Sequence, residues 1–296
     1  MRFRRGLMRW YREHGRHELP WRHTRDAYAV LVSEVMLQQT QVDRVLPYYA
    51  AWMARWPDAR SLAGAPTAEV IRAWAGLGYN RRALNLQRAA QAVVNEWDGT
   101  VPLDEAALQK LPGVGRYTAA AVACFAGERR AVVLDTNVGR VVARSRLGKA
   151  TMRVAGDSAT REAAEELLPT RASARDWNLA LMDLGAMVCR SRNPLCGECP
   201  LRAECAWFAA GRPEPEAHRN GGVRFEDTSR FARGRIVAAL REHNALTAAE
   251  IASLLPAPHD ERARTYLEAL ERDGLAVRTH ECEERWALPG NGVRAG

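Results

Sequence analysis

Lysine is nearly missing from this 296-residue chain: Lys110 and Lys149 are the only two, and almost all of its positive charge is arginine. Few side-chain amines are therefore at hand for covalent chemistry of the Schiff-base kind. Also scarce are alternating apolar and polar runs, which argues against a sheet-built body. No apolar stretch approaches the length needed to span a bilayer. The opening Met1-Arg-Phe-Arg-Arg-Gly is basic, but no apolar core or small-residue cleavage site follows it. A secretory signal is not expected, and the chain reads as cytoplasmic, with no membrane partner. Internal repeats and low-complexity segments are absent too.

What remains is an ordinary globular composition, 47% hydrophobic and 26% charged. The length suits two domains, or one lobed domain with an appendage. The formal charge of +8 is unevenly spread. Residues 211–296 hold 13 basic against 14 acidic side chains, so the whole surplus lies in the first two-thirds. A basic body suits a polyanion such as DNA, although charge alone is weak evidence. From Tyr28 to Leu108 apolar residues recur at helical spacing, as in Tyr28, Leu31, Val32, Val35 and Met36, which predicts an all-α first lobe. Gly99-Thr-Val-Pro102 and Leu111-Pro-Gly-Val-Gly115 break the pattern as turns. Gly211-Arg-Pro-Glu-Pro-Glu and Asn220-Gly-Gly read as a linker. The expected division is thus a helical domain over 1–210, a linker over 211–229 and a small domain over 230–290. In the last, a helix over Arg230–Glu242, a capping box at Thr247-Ala-Ala-Glu250, a helix over Arg262–Arg272 stopped by Gly274, and two strands within Leu275–Leu288 spell a winged-helix-like α+β module. Near-neutral, it suits a protein contact or a weak DNA contact.

Four of the six cysteines fall within seventeen residues: Cys189, Cys196, Cys199 and Cys205. Thiols this dense form disulfides, a zinc site or an iron–sulfur cluster, and a cytoplasmic chain disfavours disulfides. Spacing alone leaves zinc and a four-iron cluster in competition. Cys124 and Cys282 read as structural or incidental.

Two acidic residues carry chemical interest. Asp135, in Val133-Leu-Asp135-Thr-Asn137-Val138, is placed to cap a helix running to Leu147, the commoner role for such an aspartate. The same carboxylate could also stabilise positive charge developing on a sugar, and the two roles are compatible. Glu34 has apolar neighbours on both sides, and desolvation there would raise its pKa toward that of a proton donor near neutrality. One protonated and one ionised carboxyl suit cleavage of a glycosidic bond.

Leu19-Pro-Trp21, Ser33-Glu-Val-Met-Leu-Gln-Gln-Thr-Gln-Val42, Gly76-Leu-Gly-Tyr79, Leu111-Pro-Gly-Val-Gly115-Arg116, Leu134-Asp135, Met182-Asp-Leu-Gly-Ala-Met-Val-Cys189 and the C-x6-C-x2-C-x5-C spacing stand together over residues 19–207. Jointly they resemble the MutY-type adenine DNA glycosylases of the helix–hairpin–helix, endonuclease III-like superfamily. The resemblance implies an all-α two-lobed fold with a [4Fe–4S] cluster on Cys189, Cys196, Cys199 and Cys205. It further implies a substrate of double-stranded DNA with adenine mispaired with guanine or 8-oxoguanine, and action as a monomer near the bacterial nucleoid. Glu34 is then the acid that protonates adenine N7, and Asp135 the stabiliser of the sugar cation or its adduct, with Tyr117 and Asn137 in support. Gln39 enters the base stack, Gln38, Tyr79, Gly113, Gly115 and Arg116 are further DNA contacts, and Arg190, Arg192 and Arg202 lie beside a phosphate backbone. Lyase members carry a lysine where this chain has Tyr117, so strand cleavage is not expected.

The chain departs from the family at Asn80, where a second tyrosine is common, at Leu179, where an amide or acid is common, and in its C-terminal module. The competing readings are an endonuclease III-like glycosylase-lyase for oxidised pyrimidines, and a non-enzymatic iron–sulfur regulator binding DNA through the winged helix.

Overall fold

The segment Ala27–Leu37 is almost wholly apolar, so a helix there has no polar face to show to water. In the computed structural model every residue from Tyr28 to Met36 is buried, Ser33 and Glu34 included. The one-sided spacing read from the sequence thus understates this helix, which is enclosed all round. Asp26 caps it, its two carboxylate oxygens accepting the backbone N–H groups of Tyr28 and Ala29 at 3.1 and 3.3 Å. The described residues are 2–152, 157–169, 174–214, 224–280 and 284–290. Among them strands occur only beyond residue 245, as expected of an all-α body.

By its contacts the chain divides into two units. The first takes Met1–Leu31, Leu103–Lys110 and Val114–Arg219. Its N-terminal helix Arg2–His14 buries Phe3, Leu7, Trp10 and Tyr11, and Phe3 lies 6.0 Å from the ring of Trp177 on helix Ala174–Met187. Helix Thr136–Leu147 packs so tightly on Ala174–Met187 that a Cβ added at Gly185 would stand 2.7 Å from that of Asn137. Asp183 is fully buried and receives a two-pronged bond from Arg22 at 2.6 and 2.7 Å, plus Arg16 Nε at 2.7 Å. Burial works to raise this carboxyl, but the two arginines override it and hold Asp183 below the usual aspartate range.

The second unit takes Val32–Pro102, Leu111–Gly113 and the chain from Asn220 onward. Helices Val42–Arg55, Ala59–Ala63, Thr67–Ala73 and Arg81–Trp97 form its first part. Its second part has helices Ser229–Glu242, Ala248–Ser253 and Ala263–Asp273, with strands β1 (Leu246–Thr247), β2 (Val277–His280) and β3 (Glu284–Ala287). The strands form an antiparallel sheet of order β1-β3-β2, with Leu246 opposite Trp286 and Val277 opposite Ala287. Thr247 and Glu250 make the expected capping box, and Gly274, at φ +79°, stops the last helix in the left-handed region. These elements share one apolar core with Ala68, Ile71 and Leu84 of the first part, to which they add Ile236, Val237, Leu240 and Trp286. The break after residue 210 read from the sequence therefore does not mark a separate core. Residues 215–223 of the expected linker, and 281–283 with Cys282, lie outside the described residues.

Candidate active site and cysteine loop

In the second unit, Glu34 sits near the end of helix Ala27–Leu37 with only 4% of its surface exposed. The chain leaves that helix through Gln38, half-buried, and Gln39, exposed with its backbone at φ +57°. A second loop, Gly76–Tyr79, turns through φ +91° at Gly76 and +72° at Gly78 and holds Tyr79 at +46°. Gln39 and Tyr79, both read as DNA contacts, thus occupy the left-handed region that side chains disfavour, a cost proteins keep at sites that use it.

One residue that sequence reasoning missed holds both loops. The Arg82 guanidinium donates through Nη1 to the carbonyls of Val35, Met36 and Gln38 at 2.7–2.8 Å. Through Nη2 it donates to the Thr40 hydroxyl and the Leu77 and Gly78 carbonyls at 3.0–3.1 Å. Burial lowers it to about 10, which still leaves it fully charged at neutrality.

In the Leu111–Gly115 turn the two glycines do different work. Gly113, at φ +78°, lies against Asn85, and a Cβ there would come within 2.6 Å of the Asn85 Cβ. Gly115, at φ −88°, is the N-cap of helix Arg116–Phe125, and a Cβ on it would meet nothing within 4 Å. The first glycine is required by the fold, whereas the second keeps the surface at a helix N-terminus clear. No side chain caps that helix end, the arrangement suited to an incoming phosphate. Arg116 is exposed on its first turn and Tyr117, half-buried, follows.

In the first unit Asp135 caps helix Thr136–Leu147 as expected. Its Oδ1 accepts the Val138 N–H at 2.6 Å and its Oδ2 the Asn137 amide at 3.0 Å. Burial raises this carboxyl above its ordinary value, and these bonds work in the opposite direction. Asn137 is held in turn by Arg140, whose Nη2 donates to its Oδ1 at 2.8 Å and to the Gly185 carbonyl at 2.7 Å. Arg140 Nε reaches the Cys189 carbonyl at 2.7 Å, so one chain of bonds runs from the cysteine loop to Asp135. The segment entering Asp135 is fixed by the buried Asn178, which accepts the Val133 N–H at 3.2 Å and donates to the Ala131 carbonyl at 3.0 Å. Leu179, beside it, is buried. Asn178 also donates to the Cys124 thiol at 3.4 Å, and burial pushes that thiol up to about 11, away from the reactive thiolate.

Cys189, Cys196, Cys199 and Cys205 line one cavity, together with Val188, Leu195, Trp207 and Arg144. Among the described residues no three acidic, histidine or cysteine side chains close on a point as a single-ion site does. Arg144 ties the loop down by donating to the carbonyls of Ala150, Arg190 and Ser191 at 2.8, 2.8 and 3.2 Å, and lies 4.4 Å from the Trp207 ring. Arg190, Arg192 and Arg202 are all exposed. Lys110, at the near end of the hairpin turn, and Lys149 are exposed as well. The structure thus gathers Glu34, Gln38, Gln39, Tyr79 and Gly113 in one unit, and Asp135, Asn137, Tyr117, Gly115, Arg116 and the four cysteines in the other. No described helix is long and apolar enough to cross a membrane.

Comparison with known proteins follows the same lines. Residues 32–170 match the family described as HhH-GPD superfamily base excision DNA repair protein. The adenine DNA glycosylase of Mycolicibacterium smegmatis is 43% identical over 288 residues, 97% of this chain and 96% of that protein. That of Mycobacterium tuberculosis is 44% identical over 292 residues, 97% of this chain and 93% of its own. Since these matches run nearly end to end, they take in the C-terminal module as well. The solved structure of a thermostable thymine-DNA glycosylase superposes with a TM-score of 0.65 at 33% identity, over 70% of this chain and 94% of that one. Sequence identity along almost the whole chain makes this protein a member of the adenine DNA glycosylase family within the HhH-GPD base excision repair superfamily.

Proposed function

We propose that this adenine DNA glycosylase hydrolyses the bond between adenine and deoxyribose where adenine is mispaired with 8-oxoguanine or guanine, and leaves the abasic strand intact. The observation that carries the reading is the contrast between two carboxyls. Glu34 is enclosed on an apolar helix, and Asp135 has both oxygens anchored at a helix N-terminus. Glu34 hands its proton to adenine N7, and the glycosidic electron pair leaves with the base. Asp135 faces the positive charge left on the sugar until water adds at C1′ and gives up its proton. Tyr117 and Asn137 hold these carboxyls in place. With tyrosine rather than an amine at position 117, no Schiff base forms and the phosphodiester survives.

Gln38, Gln39 and Tyr79 meet the bases, while Gly113, Gly115 and Arg116 meet a phosphate. The four cysteines fit a [4Fe–4S] cluster. They are four thiols lining one cavity, the donor set such a cluster takes, and Arg144 and Arg202 on the same lining would offset its negative charge. Cys189, Cys196, Cys199 and Cys205 would hold the cluster, which would tie the ends of the loop together and keep Arg190, Arg192 and Arg202 in place. The protein acts as a monomer on chromosomal DNA in the cytoplasm.

The test is incubation with duplexes holding adenine opposite 8-oxoguanine, guanine, cytosine or thymine, with uracil and thymine-glycol controls, scored before and after alkali. Alkali-dependent breaks confined to adenine are expected. Breaks without alkali, with a borohydride-trapped adduct, would point to the lyase instead. Glu34→Gln should lower single-turnover excision by about a hundred- to ten-thousandfold while mispair binding persists. Purified protein should carry about four irons per chain rather than one zinc.

A further inference from the structure

Tyr79 presents an awkward combination: a large ring 39% exposed, on a backbone at φ +46°, next to a loop with two positive-φ glycines. Such a residue keeps its place only if something outside the loop holds it. Arg230 of helix Ser229–Glu242 does so, and Arg241 of the same helix holds the next residue, Asn80. Arg230 Nη1 donates to the Tyr79 hydroxyl at 2.7 Å, and its guanidinium lies 5.0 Å from both the Tyr79 and the Phe225 ring centroids. Arg241 donates through Nη2 to the Asn80 Oδ1 at 2.8 Å and through Nε to the Ile71 carbonyl at 3.0 Å. An open cavity of about 640 Å³ is lined by Gly78–Arg82 on one side and by Phe225, Arg230 and Arg233 on the other, so close packing does not fix the loop there. Arg82 holds the loop from behind, through the Leu77 and Gly78 carbonyls and 5.5 Å from the Tyr79 ring, and on the open side its position rests on the Arg230 and Arg241 contacts.

The neighbouring cations are turned to similar use. Arg233 pairs with Asp273, Arg264 with Glu284, and Arg278 with Glu271, consistent with a module that carries no basic surplus. We propose that residues 224–290 serve as a buttress: through Arg230 and Arg241 they set the Tyr79–Asn80 segment in the geometry that meets a mispair, and Arg230 is a positioning residue, not itself a DNA ligand. This rests on the reading of Tyr79 as a DNA contact.

The experiment uses full-length, cluster-loaded protein and duplexes with a non-hydrolysable adenine nucleoside opposite 8-oxoguanine, or a matched thymine. Kd is measured over a range of salt for wild type, Arg230→Ala, Arg230→Lys, Tyr79→Phe, Tyr79→Ala and the Arg230→Ala/Tyr79→Phe pair. Arg230→Ala should weaken mispair binding about three- to tenfold, less than the full worth of one exposed cation–π contact and one charge-assisted hydrogen bond, because Arg82 still holds the loop and bound DNA can draw Tyr79 back into place. The matched duplex and the slope of log Kd against log salt should stay as they were. Tyr79→Phe, which keeps the ring and loses the acceptor, should give part of that loss, and the pair should fall short of the product of the singles. Arg230→Lys should restore some of the binding.

A salt slope smaller by about 0.9 and equal weakening on both duplexes would make Arg230 a phosphate ligand and overturn the proposal. So would a silent Arg230→Ala alongside a damaging Tyr79→Ala, which sinks the buttress alone. A Tyr79→Ala protein that binds every duplex normally removes Tyr79 as a DNA contact and the buttress with it, while excision of adenine still stands on its own assay.

Discussion

Asp135 has to cap a helix and, in the proposed reaction, stand ionised beneath a cation, and these duties pull on the same proton. Burial raises its pKa, while the Val138 N–H and the Asn137 amide favour the charged form. Because excision needs the ionised form, the acid limb of the rate profile should lie above the ordinary aspartate value of about 3.9. Replacing Asn137 by Leu removes one stabilising bond, so the limb should move further up, by about one pH unit for a hydrogen bond to a charged group. Single-turnover rates from pH 4 to 8 would show this, and a limb that moved down or not at all would separate Asn137 from Asp135. Gln39 makes a different bargain. Its left-handed backbone costs about 1 kcal/mol, which glycine would relieve at a similar entropic cost. Gln39→Gly should therefore melt within a few degrees of wild type but bind a mispair distinctly less well, a separation of stability from function that melting and Kd measurements would expose.

The turn between residues 111 and 115 gives a sharper contrast within one motif. Gly113→Ala forces a left-handed alanine against Asn85, so it should lower the melting temperature as well as DNA affinity. Gly115→Ala meets open space and ordinary backbone, so it should leave stability alone and reduce only DNA affinity, most visibly at low salt. Equal stability losses would mean that both glycines serve the fold. From the sequence the two looked alike, since spacing marks a turn but not which side of it is crowded. The grouping of the four cysteines was legible because they stand within seventeen residues, the burial of Glu34 because its neighbours are apolar, and the cap at Asp135 and the C-terminal helices because caps and stops are local. Arg82, Arg140, Arg144 and Arg241 were not. Each donates mainly to backbone carbonyls, several of them some 45 to 170 residues away in the chain, and a carbonyl leaves no mark in a sequence. In a chain whose cations are nearly all arginine, none stood out from the rest.

The two ends of the chain complete different units. Near the start, Arg16 and Arg22 clasp the buried Asp183. With its folded pKa depressed, that carboxylate contributes stability above the unfolded value of about 3.9, and the contribution is lost as pH falls through the lower folded value. Asp183→Asn should cost about 3–5 kcal/mol at pH 7, since two cations lose their buried partner, and the deficit relative to wild type should shrink in acid. At the other end, Ile236, Val237, Leu240 and Trp286 close the core that Ala68, Ile71 and Leu84 begin. An appendage on a linker can be cut away without harm, but an element that supplies half of a core cannot. Leu240→Ala, at a fully buried position, should cost about 2–5 kcal/mol. Deleting residues 224–296 would expose Ile71 and Leu84, and the remainder should aggregate or melt far below wild type by size-exclusion chromatography and thermal denaturation. A monodisperse truncated protein that still excised adenine at the wild-type rate would show that residues 32–102 hold their fold without the C-terminal helices, and would reduce the shared core to a docking contact.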